Sequence, residues 1–263
     1  MTPLFSANTG FLWTDHPLAE RIRRAARAGF DAVEFHDEAQ HADPAELAEV
    51  LAETGLPVLG LNVQMGATAG CAAIPGQETA ARRGIDAAAE VAARTGARAI
   101  HVLAGRTDAP GAAGTYRANL RHALAATDRI ILIEPICAAA MPGYHLSTIE
   151  QAAAVLADID HPRLKILFDW FHVETGSGDA MARFAAHAPA IGHVQIAAIP
   201  TRSEPEPEGH LPYARLIPAM RSAGYGGAFG CEYRPAGATV EEGLAWMPTL
   251  RAAARPAGRA GDR

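Results

Sequence analysis

The sequence has few cysteines and no long apolar run, and both absences narrow the classes of function. Its three cysteines, Cys71, Cys137 and Cys231, are far apart and form no C-x-x-C pair, so we expect neither a disulfide framework nor a structural zinc or redox motif. No segment approaches the roughly 18 consecutive apolar residues of a membrane span. The N-terminus lacks the basic and apolar regions of a secretory signal. We therefore expect a cytoplasmic protein with no membrane partner.

A basic surface is also missing. The chain has 23 Lys and Arg residues against 29 Asp and Glu residues, which gives a formal charge of −6 at pH 7. Nucleic acids are usually bound by a basic stripe or patch, so we expect no nucleic-acid partner. With 49% hydrophobic and 20% charged residues among 263, the composition is typical of a folded globular protein. Length alone allows one large domain or two smaller ones.

Short β-rich runs alternate eight times with stretches of helical period. The predicted strands are 3–8, 31–36, 57–63, 98–104, 130–136, 165–171, 191–197 and 227–233. The predicted helices are 17–28, 43–54, 77–95, 113–127, 147–158, 178–188, 211–223 and 239–254. Eight βα units without a linker predict a single-domain α/β protein over residues 1–254, a (β/α)8 TIM barrel. An open doubly wound sheet is disfavoured, because the loop after the first strand lacks a glycine-rich phosphate-binding sequence.

Residues 255–263 are rich in Gly, Pro and Arg and have no apolar periodicity, so we predict a flexible C-terminal tail. Helix ends before this tail carry clear signals. Asp43 before Pro44 predicts an N-cap followed by a first-turn proline, and Ser147 with Glu150 has the spacing of a capping box. Glycines that follow predicted helices favour left-handed C-terminal caps; they are Gly29, Gly55, Gly96 and Gly224.

Four polar residues come late in four consecutive apolar strands. They are Glu134, Asp169, Gln195 and Glu232, each about one βα unit from the next. In a TIM barrel, the chemistry lies at the C-terminal ends of the strands. Three carboxylates and an amide oxygen form an all-oxygen set that suits Mg²⁺ or Mn²⁺. For any one of them alone, a buried ion pair or a hydrogen bond to the backbone is an equal alternative.

Other polar side chains share the inner face of the predicted barrel. His101 on the fourth strand either contacts a ligand or is satisfied within the core, while His172 lies at the strand mouth where substrate passes. His193 has the parity of Gln195 and is either a core histidine or its partner. Glu34 is expected to make a buried structural hydrogen bond. Cys231 has the opposite parity and is expected to pack against helices rather than act as a nucleophile.

The loop 200–210 after the seventh strand is long and charged, and it is a candidate lid. Its arginine, Arg202, has the planar fork that holds a carboxylate or hydroxyl groups. A plain solvated loop is the competing interpretation. The alanine-rich helices of two copies of the chain could pack closely against each other, so we expect a homo-oligomer.

Short segments at the predicted strand ends form a specific set. They are FSAN (5–8), AVEF (32–35), IPG (74–76), IEPI (133–136), PGYHL (142–146), FDWFH (168–172), GHVQIA (192–197) and GCEYRP (230–235). Together, from residue 4 to residue 247, they resemble the hydroxypyruvate isomerase family within the xylose isomerase-like barrels.

The resemblance implies a metal-assisted isomerase that converts hydroxypyruvate to tartronate semialdehyde through an enediolate, with Mg²⁺ or Mn²⁺ as cofactor. Glu134 and Glu232 match the two catalytic carboxylates of the family, and with Asp169 and Gln195 they match its metal-binding set. His172 and Arg202 match positions that contact substrate in the related ketose 3-epimerases. Those epimerases usually carry histidine in place of Gln195, which favours the hydroxypyruvate isomerase branch. His101 is a further candidate for substrate contact.

The sequence departs from the family at three places on the predicted barrel mouth. His36–His41 replaces a common Phe-Pro-Tyr, the loop after the third strand lacks an Asp-Trp segment, and Glu208–Tyr213 replaces a common Gly-Glu-Ile-Asn-Tyr. Residues 101–105 and 195–202 also resemble 2-oxo-tetronate isomerases, whose substrate is one carbon longer. The alternatives are therefore a 2-oxo-tetronate isomerase, a ketose 3-epimerase and a non-catalytic sugar or keto-acid binding protein. A zinc-dependent endonuclease would need a histidine-rich cluster and a basic face, which the sequence lacks.

Overall fold

Eight parallel strands close into a barrel in the computed structural model, which describes residues 4–254. The strands are β1 (Phe5–Asn8), β2 (Ala32–Phe35), β3 (Val58–Asn62), β4 (Ala99–His101), β5 (Ile130–Ile133), β6 (Leu164–Asp169), β7 (Ile191–Ile196) and β8 (Phe229–Cys231). Each strand pairs with the next, and β8 pairs with β1. The predicted TIM barrel is confirmed. The predicted flexible tail, 255–263, lies outside the described residues.

Helices surround the barrel. They are α1 (Leu18–Arg27), α2 (Pro44–Thr54), α3 (Glu78–Thr95), α4 (Ala112–Ala126), α5 (Ile149–Ile159), α6 (Trp170–Ser177), α7 (Ala180–His187), α8 (Tyr213–Ser222) and α9 (Trp246–Ala253). The prediction of a strand over 165–171 is wrong at its end, because Trp170 and Phe171 begin α6. The predicted helix 239–254 starts late, since a short 3₁₀ turn at Glu241–Gly243 precedes α9. No helix of the described part combines the length and the apolar character that crossing a membrane requires.

Two helix starts test the capping predictions. Asp43 caps α2 as predicted, because its Oδ1 accepts hydrogen bonds from the backbone N–H of Ala45 and Glu46 at 2.9 Å. The predicted Ser147–Glu150 box at α5 is wrong by one residue. Thr148 is the N-cap, its Oγ1 accepts from the Gln151 N–H, and the Gln151 side chain accepts from the Thr148 N–H. Thr148 has the extended φ of −135° that an N-cap needs.

Side chains alternate between the barrel interior and the helices, as strand geometry requires. Tyr233 points to the helices, and its ring makes an edge contact with Trp246 of α9 at 6.3 Å between centroids. Cys231 is fully buried in the same apolar cluster. The prediction that Cys231 packs in the core agrees with this position. Residues of the opposite parity, such as Glu232, face the barrel interior and place polar groups at the barrel mouth.

Candidate active site

The structure brings the four predicted metal ligands to the same end of the barrel. Asp169 ends β6 and pairs with Gln195 on β7. Glu134 and Glu232 directly follow β5 and β8. All four residues are buried, with at most 7% of their surface exposed. Four polar groups placed in this way among apolar strands need partners, because burial of an unpaired charge is costly.

Asp169 has two structural roles, which explains the position of His172. Its Oδ1 accepts a hydrogen bond from the Phe171 N–H at 2.8 Å, so the residue that ends β6 also caps α6. His172 follows on the first turn of α6, with its Nε2 3.6 Å from Asp169 Oδ2 and 3.8 Å from Glu134 Oε1. One ligand atom from each of these three residues lies within 4.8 Å of the others. The predicted substrate contact His172 is therefore placed where it could also hold a cation.

Glu232 is held by donors on both oxygens. Its Oε1 accepts from Asn8 Nδ2 at 3.0 Å and contacts His36 Nε2 at 2.8 Å. Its Oε2 accepts from Arg202 Nη2 at 2.5 Å. Burial alone would raise the pKa of Glu232, but the charge of Arg202 and the His36 contact hold the pKa below its usual value. These two contacts therefore favour the ionised form of Glu232.

Glu134 has the opposite surroundings. Within residues 4–254, its buried Oε1 has no hydrogen-bond partner. The imidazole nitrogens of His101 and His172 each lie 3.8 Å from a Glu134 oxygen. Burial, together with the negative charges of Glu232 and Asp169, raises the pKa of Glu134 well above its ordinary value. The two predicted catalytic glutamates thus differ in the protonation state that their surroundings favour.

Arg202 reaches into the site from the β7–α8 loop. Its Nη2 lies between Asp169 Oδ2, at 3.1 Å, and Glu232 Oε2. The guanidinium lies over the rings of Phe11 and Phe171, with its Cζ 4.9 Å from each ring centre. Such stacking is favourable for an arginine. The structure therefore places Arg202 among the carboxylates rather than in a solvated loop.

Glu34 on β2 forms the polar floor below the site. Its Oε1 accepts from Gln195 Nε2 at 2.8 Å, and its Oε2 contacts His193 Nε2 at 2.8 Å. Ser6 and Asn8 of β1 donate to the same carboxylate. The expected buried hydrogen bond of Glu34 is present, and His193 is its partner. Gly230 makes room for this carboxylate, because a Cβ at that position would lie 2.5 Å from Glu34 Oε1.

The donor set fits a divalent cation. Since Gln195 Nε2 is engaged by Glu34, the other atom of the amide, Oε1, is buried without a hydrogen-bond partner among the described residues. Burial lowers the pKa of His172 to about 3, which leaves its imidazole neutral and able to act as a ligand. Carboxylates, an amide oxygen and an imidazole suit Mg²⁺ or Mn²⁺. Two otherwise orphaned oxygens, Glu134 Oε1 and Gln195 Oε1, would gain a partner.

His101 is satisfied on one side only. Its Nδ1 lies 3.1 Å from Asn62 Oδ1, while in the described part of the chain its buried Nε2 has no partner. Burial lowers its pKa to about 3. The contact of Nδ1 with Asn62 agrees with the interpretation of His101 as a core histidine. Its Nε2, without a partner in the described residues, agrees with the interpretation as a ligand contact.

Three residues of the site are missing from the sequence prediction: His36, Asn8 and Phe11. His36 directly follows β2 in the same way that Glu134 follows β5. Asn8 is the last residue of β1. The strand-end rule could have found both. Phe11 carries no such signal, because its contact with Arg202 depends on two loops.

Comparison with known proteins agrees with this arrangement. A family model described as xylose isomerase-like TIM barrel matches residues 22–250. The hydroxypyruvate isomerase of Escherichia coli K12 is 36% identical, with 94% of this chain and 99% of the relative aligned. The 2-oxo-tetronate isomerase of Cupriavidus necator is 38% identical, with 93% of this chain and 97% of the relative aligned.

A solved structure named AP endonuclease, family 2, from Brucella melitensis superimposes with a TM-score of 0.88. It is 33% identical and covers 94% of this chain and 98% of its own. The family match and the near full-length relatives confirm the resemblance seen in the strand-end segments. The chain belongs to the xylose isomerase-like TIM barrel family, alongside relatives named hydroxypyruvate isomerase and 2-oxo-tetronate isomerase.

Proposed function

We propose that the chain is an isomerase of a small hydroxy-keto acid and converts hydroxypyruvate to tartronate semialdehyde. The observation that carries this proposal is the pair Glu134 and Glu232, buried at one barrel mouth in opposite surroundings. Two carboxylates that flank a substrate can take a proton from one carbon and give one to the next, and different surroundings can tune the two groups for these tasks.

In the reaction, a proton leaves C3 of hydroxypyruvate to one glutamate, and a proton from the other is added to C2. The hydroxyl proton moves from O3 to O2, so that the ketone becomes a hydroxyl group and C3 becomes the aldehyde. Arg202 has a buried Nε without a partner in the described residues, and it is proposed to bind substrate oxygens. His172 and His101, which flank Glu134, are proposed to contact substrate as well.

The proposed ligands of the metal are Glu134, Asp169, Gln195 and Glu232, with His172 as a further donor. Mg²⁺ or Mn²⁺ at this position would supply positive charge that stabilises negative charge as it develops on oxygen. The Glu34 network fixes the Gln195 amide so that its oxygen, not its nitrogen, remains free. Hydrogen bonds of this kind orient ligands and affect metal affinity.

A second substrate has support of its own. The relative from Cupriavidus necator is named 2-oxo-tetronate isomerase and is 38% identical. Its substrate has one more carbon, and the same two glutamates would move the proton. An endonuclease is disfavoured, although one solved relative bears that name. The net charge of −6 opposes DNA binding, and the one metal-binding group found among residues 4–254 contains a single histidine.

A substrate panel tests the proposal. C3 to C6 keto acids and ketoses are incubated in D₂O with and without Mg²⁺ or Mn²⁺, and ¹H NMR follows deuterium at the carbon next to the carbonyl group. We expect exchange in hydroxypyruvate, or in 2-oxo-tetronate if the second substrate is correct. Exchange confined to free ketoses would support a 3-epimerase and overturn the proposal. Binding without exchange would support a non-catalytic binding protein.

Glutamine variants test the two glutamates in the same assay. Glu134→Gln and Glu232→Gln should each abolish formation of tartronate semialdehyde, because each removes a proton-transfer group, and the variant that lacks the C3 base should also lose deuterium exchange at C3. Glu53→Gln is the matched control, since Glu53 pairs with Arg23 on the surface. Normal formation of product in either mouth variant would exclude that residue from the reaction. We also propose that the protein is cytoplasmic and forms a homo-oligomer. Light scattering of the purified chain measures the oligomeric state.

A further inference from the structure

His36 makes a buried contact that the proposed reaction does not use. It directly follows β2, its side chain is 15% exposed, and its Nε2 lies 2.8 Å from Glu232 Oε1. The carboxylate of Glu232 already accepts hydrogen bonds from Asn8 and Arg202, and in the ionised form that these donors favour it can only accept, so Nε2 carries the hydrogen of the contact with His36. His36 is therefore a donor to Glu232.

The imidazole is fixed by the loop that follows β1. A Cβ on Gly10 would lie 2.2 Å from His36 Nδ1 and 2.3 Å from its Cγ, which shows how closely the ring lies against the Gly10 backbone. The Phe11 ring meets the imidazole edge-on, with 5.3 Å between centroids and 84° between planes. Backbone on one side and an aromatic ring on another leave the imidazole little freedom to turn.

The same loop also supports the donor to the other oxygen of Glu232. Phe11 lies under the guanidinium of Arg202, whose Nη2 donates to Glu232 Oε2. Both oxygens of Glu232 are thus held by side chains that rest on one loop. The terminal torsion of a glutamate is soft, so without such donors its carboxylate would rotate. Glu134 differs from Glu232 in this respect, because its Oε1 has no hydrogen-bond partner in the described residues.

We propose that His36 is a positioning residue for Glu232, and that Gly10 and Phe11 hold its imidazole in place. The inference rests on the proposed function, in which Glu232 is one of the two proton-transfer groups. His36 and Asn8 fix the Oε1 atom of Glu232. The Oε2 atom of Glu232 is then directed towards Asp169, and Arg202 donates to both carboxylates.

Substitutions at His36 and Gly10 test this role. His36→Ala should lower kcat about 10- to 100-fold, the usual effect of removing a group that orients a ligand or a reacting group, and leave KM unchanged. His36→Gln should restore most of kcat, because its amide N–H can reach the same oxygen. Gly10→Ala should lower kcat as His36→Ala does, since its Cβ displaces the ring.

The double variant separates displacement of His36 from general damage. Once the ring is absent, Gly10→Ala has nothing to displace, so the pair Gly10→Ala and His36→Ala should be no slower than His36→Ala alone. Two controls match the substitutions. His122→Ala removes an imidazole that contacts Asp86 on the surface, and Gly114→Ala adds a Cβ that would meet no heavy atom within 4 Å. Both should keep the activity of the parent chain.

A readout independent of substrate completes the test. In ¹H–¹⁵N spectra of the full chain, the His36 Nε2–H should exchange slowly with solvent, and Gly10→Ala should abolish that signal. A slow signal lost in Gly10→Ala, in a chain inactive on every substrate, would overturn the proposed function and leave the contact between His36 and Glu232 supported. An active chain in which His36→Ala keeps kcat, or in which the double variant is additive, would overturn the inference and leave the proposed function standing.

Discussion

Three carboxylates are buried at the barrel mouth and a fourth, Glu34, is buried on the floor below them; the four differ in the hydrogen bonds they accept. Glu34 accepts from four side chains and Glu232 from three. Asp169 accepts from a backbone N–H and from Arg202, and burial, partly offset by Arg202, raises its pKa to about 7. Glu134 has the fewest partners. Among the described residues, hydrogen bonds therefore hold Glu34 more firmly than Glu134.

Glu34→Gln should lower the free energy of unfolding by about 3 kcal/mol, because an amide nitrogen would then face donor groups in a buried site. Urea unfolding measures the change. The surface variant Glu53→Gln is the control and should change stability by less than about 1 kcal/mol. Equal stabilities of the two variants would contradict the structural role of Glu34.

Cys231→Ala should leave kcat within about twofold and cost about 1 kcal/mol of stability, the scale of a small core cavity. The reason is its position, fully buried on the side of β8 opposite to Glu232. Steady-state kinetics and urea unfolding check the two parts. A loss of activity with normal stability would instead assign Cys231 to the reaction.

Strand parity and the strand-end rule are enough to predict from the sequence that Glu134, Asp169, Gln195 and Glu232 lie together at one end of the barrel. These residues follow from the period of two and from barrel geometry alone. The position of Arg202 could not be derived in this way. Its backbone is in the left-handed region, at φ +55°, and its contacts cross from one loop to another. The sequence pattern of a loop does not specify such a conformation.

Helix α6 shows where the sequence pattern fails for an element. The segment ILFDWF (166–171) is apolar apart from Asp169, and a short apolar run does not distinguish strand from helix. No glycine or proline separates β6 from α6. Asp169 alone ends the strand and caps the helix, through its bond to the Phe171 N–H. One residue with both roles leaves no loop for a prediction to detect.

Helix α5 provides a matched test of capping. Thr148→Ala should lower the free energy of unfolding by about 1 kcal/mol, because Thr148 is the N-cap and its Oγ1 satisfies the Gln151 N–H. Ser147→Ala should cost much less, since Ser147 Oγ makes only an exposed contact with the Gln151 side chain. Urea unfolding of both variants measures the two losses of stability. A larger loss in Ser147→Ala than in Thr148→Ala would instead support the capping box predicted from Ser147 and Glu150.

The barrel as a whole gathers negative charge at one end, and binding of a cation there should stabilise the folded state. At a hundredfold excess over Kd, a ligand specific for the native state adds about 2.7 kcal/mol. In a domain of this size, each kcal/mol raises Tm by about 2–4 °C. Mn²⁺ should therefore raise Tm by several degrees in differential scanning calorimetry.

Asp169→Asn should lose most of this rise in Tm, because it removes the charge of a proposed ligand. Asp86→Asn, which changes a surface carboxylate beside His122, should keep it. A rise of equal size in both variants would place the bound Mn²⁺ outside the mouth.

The Glu34 network joins strands that are made far apart in time during translation. Ser6 and Asn8 lie near it in the chain, but His193 and Gln195 come 159 and 161 residues after Glu34. At about 5–20 residues per second, the ribosome adds them roughly 8 to 30 seconds later. Over that time, a nascent half-barrel would have to bury a carboxylate that lacks half of its donors, which is unfavourable. Closure of the barrel is thereby coupled to the synthesis of β7.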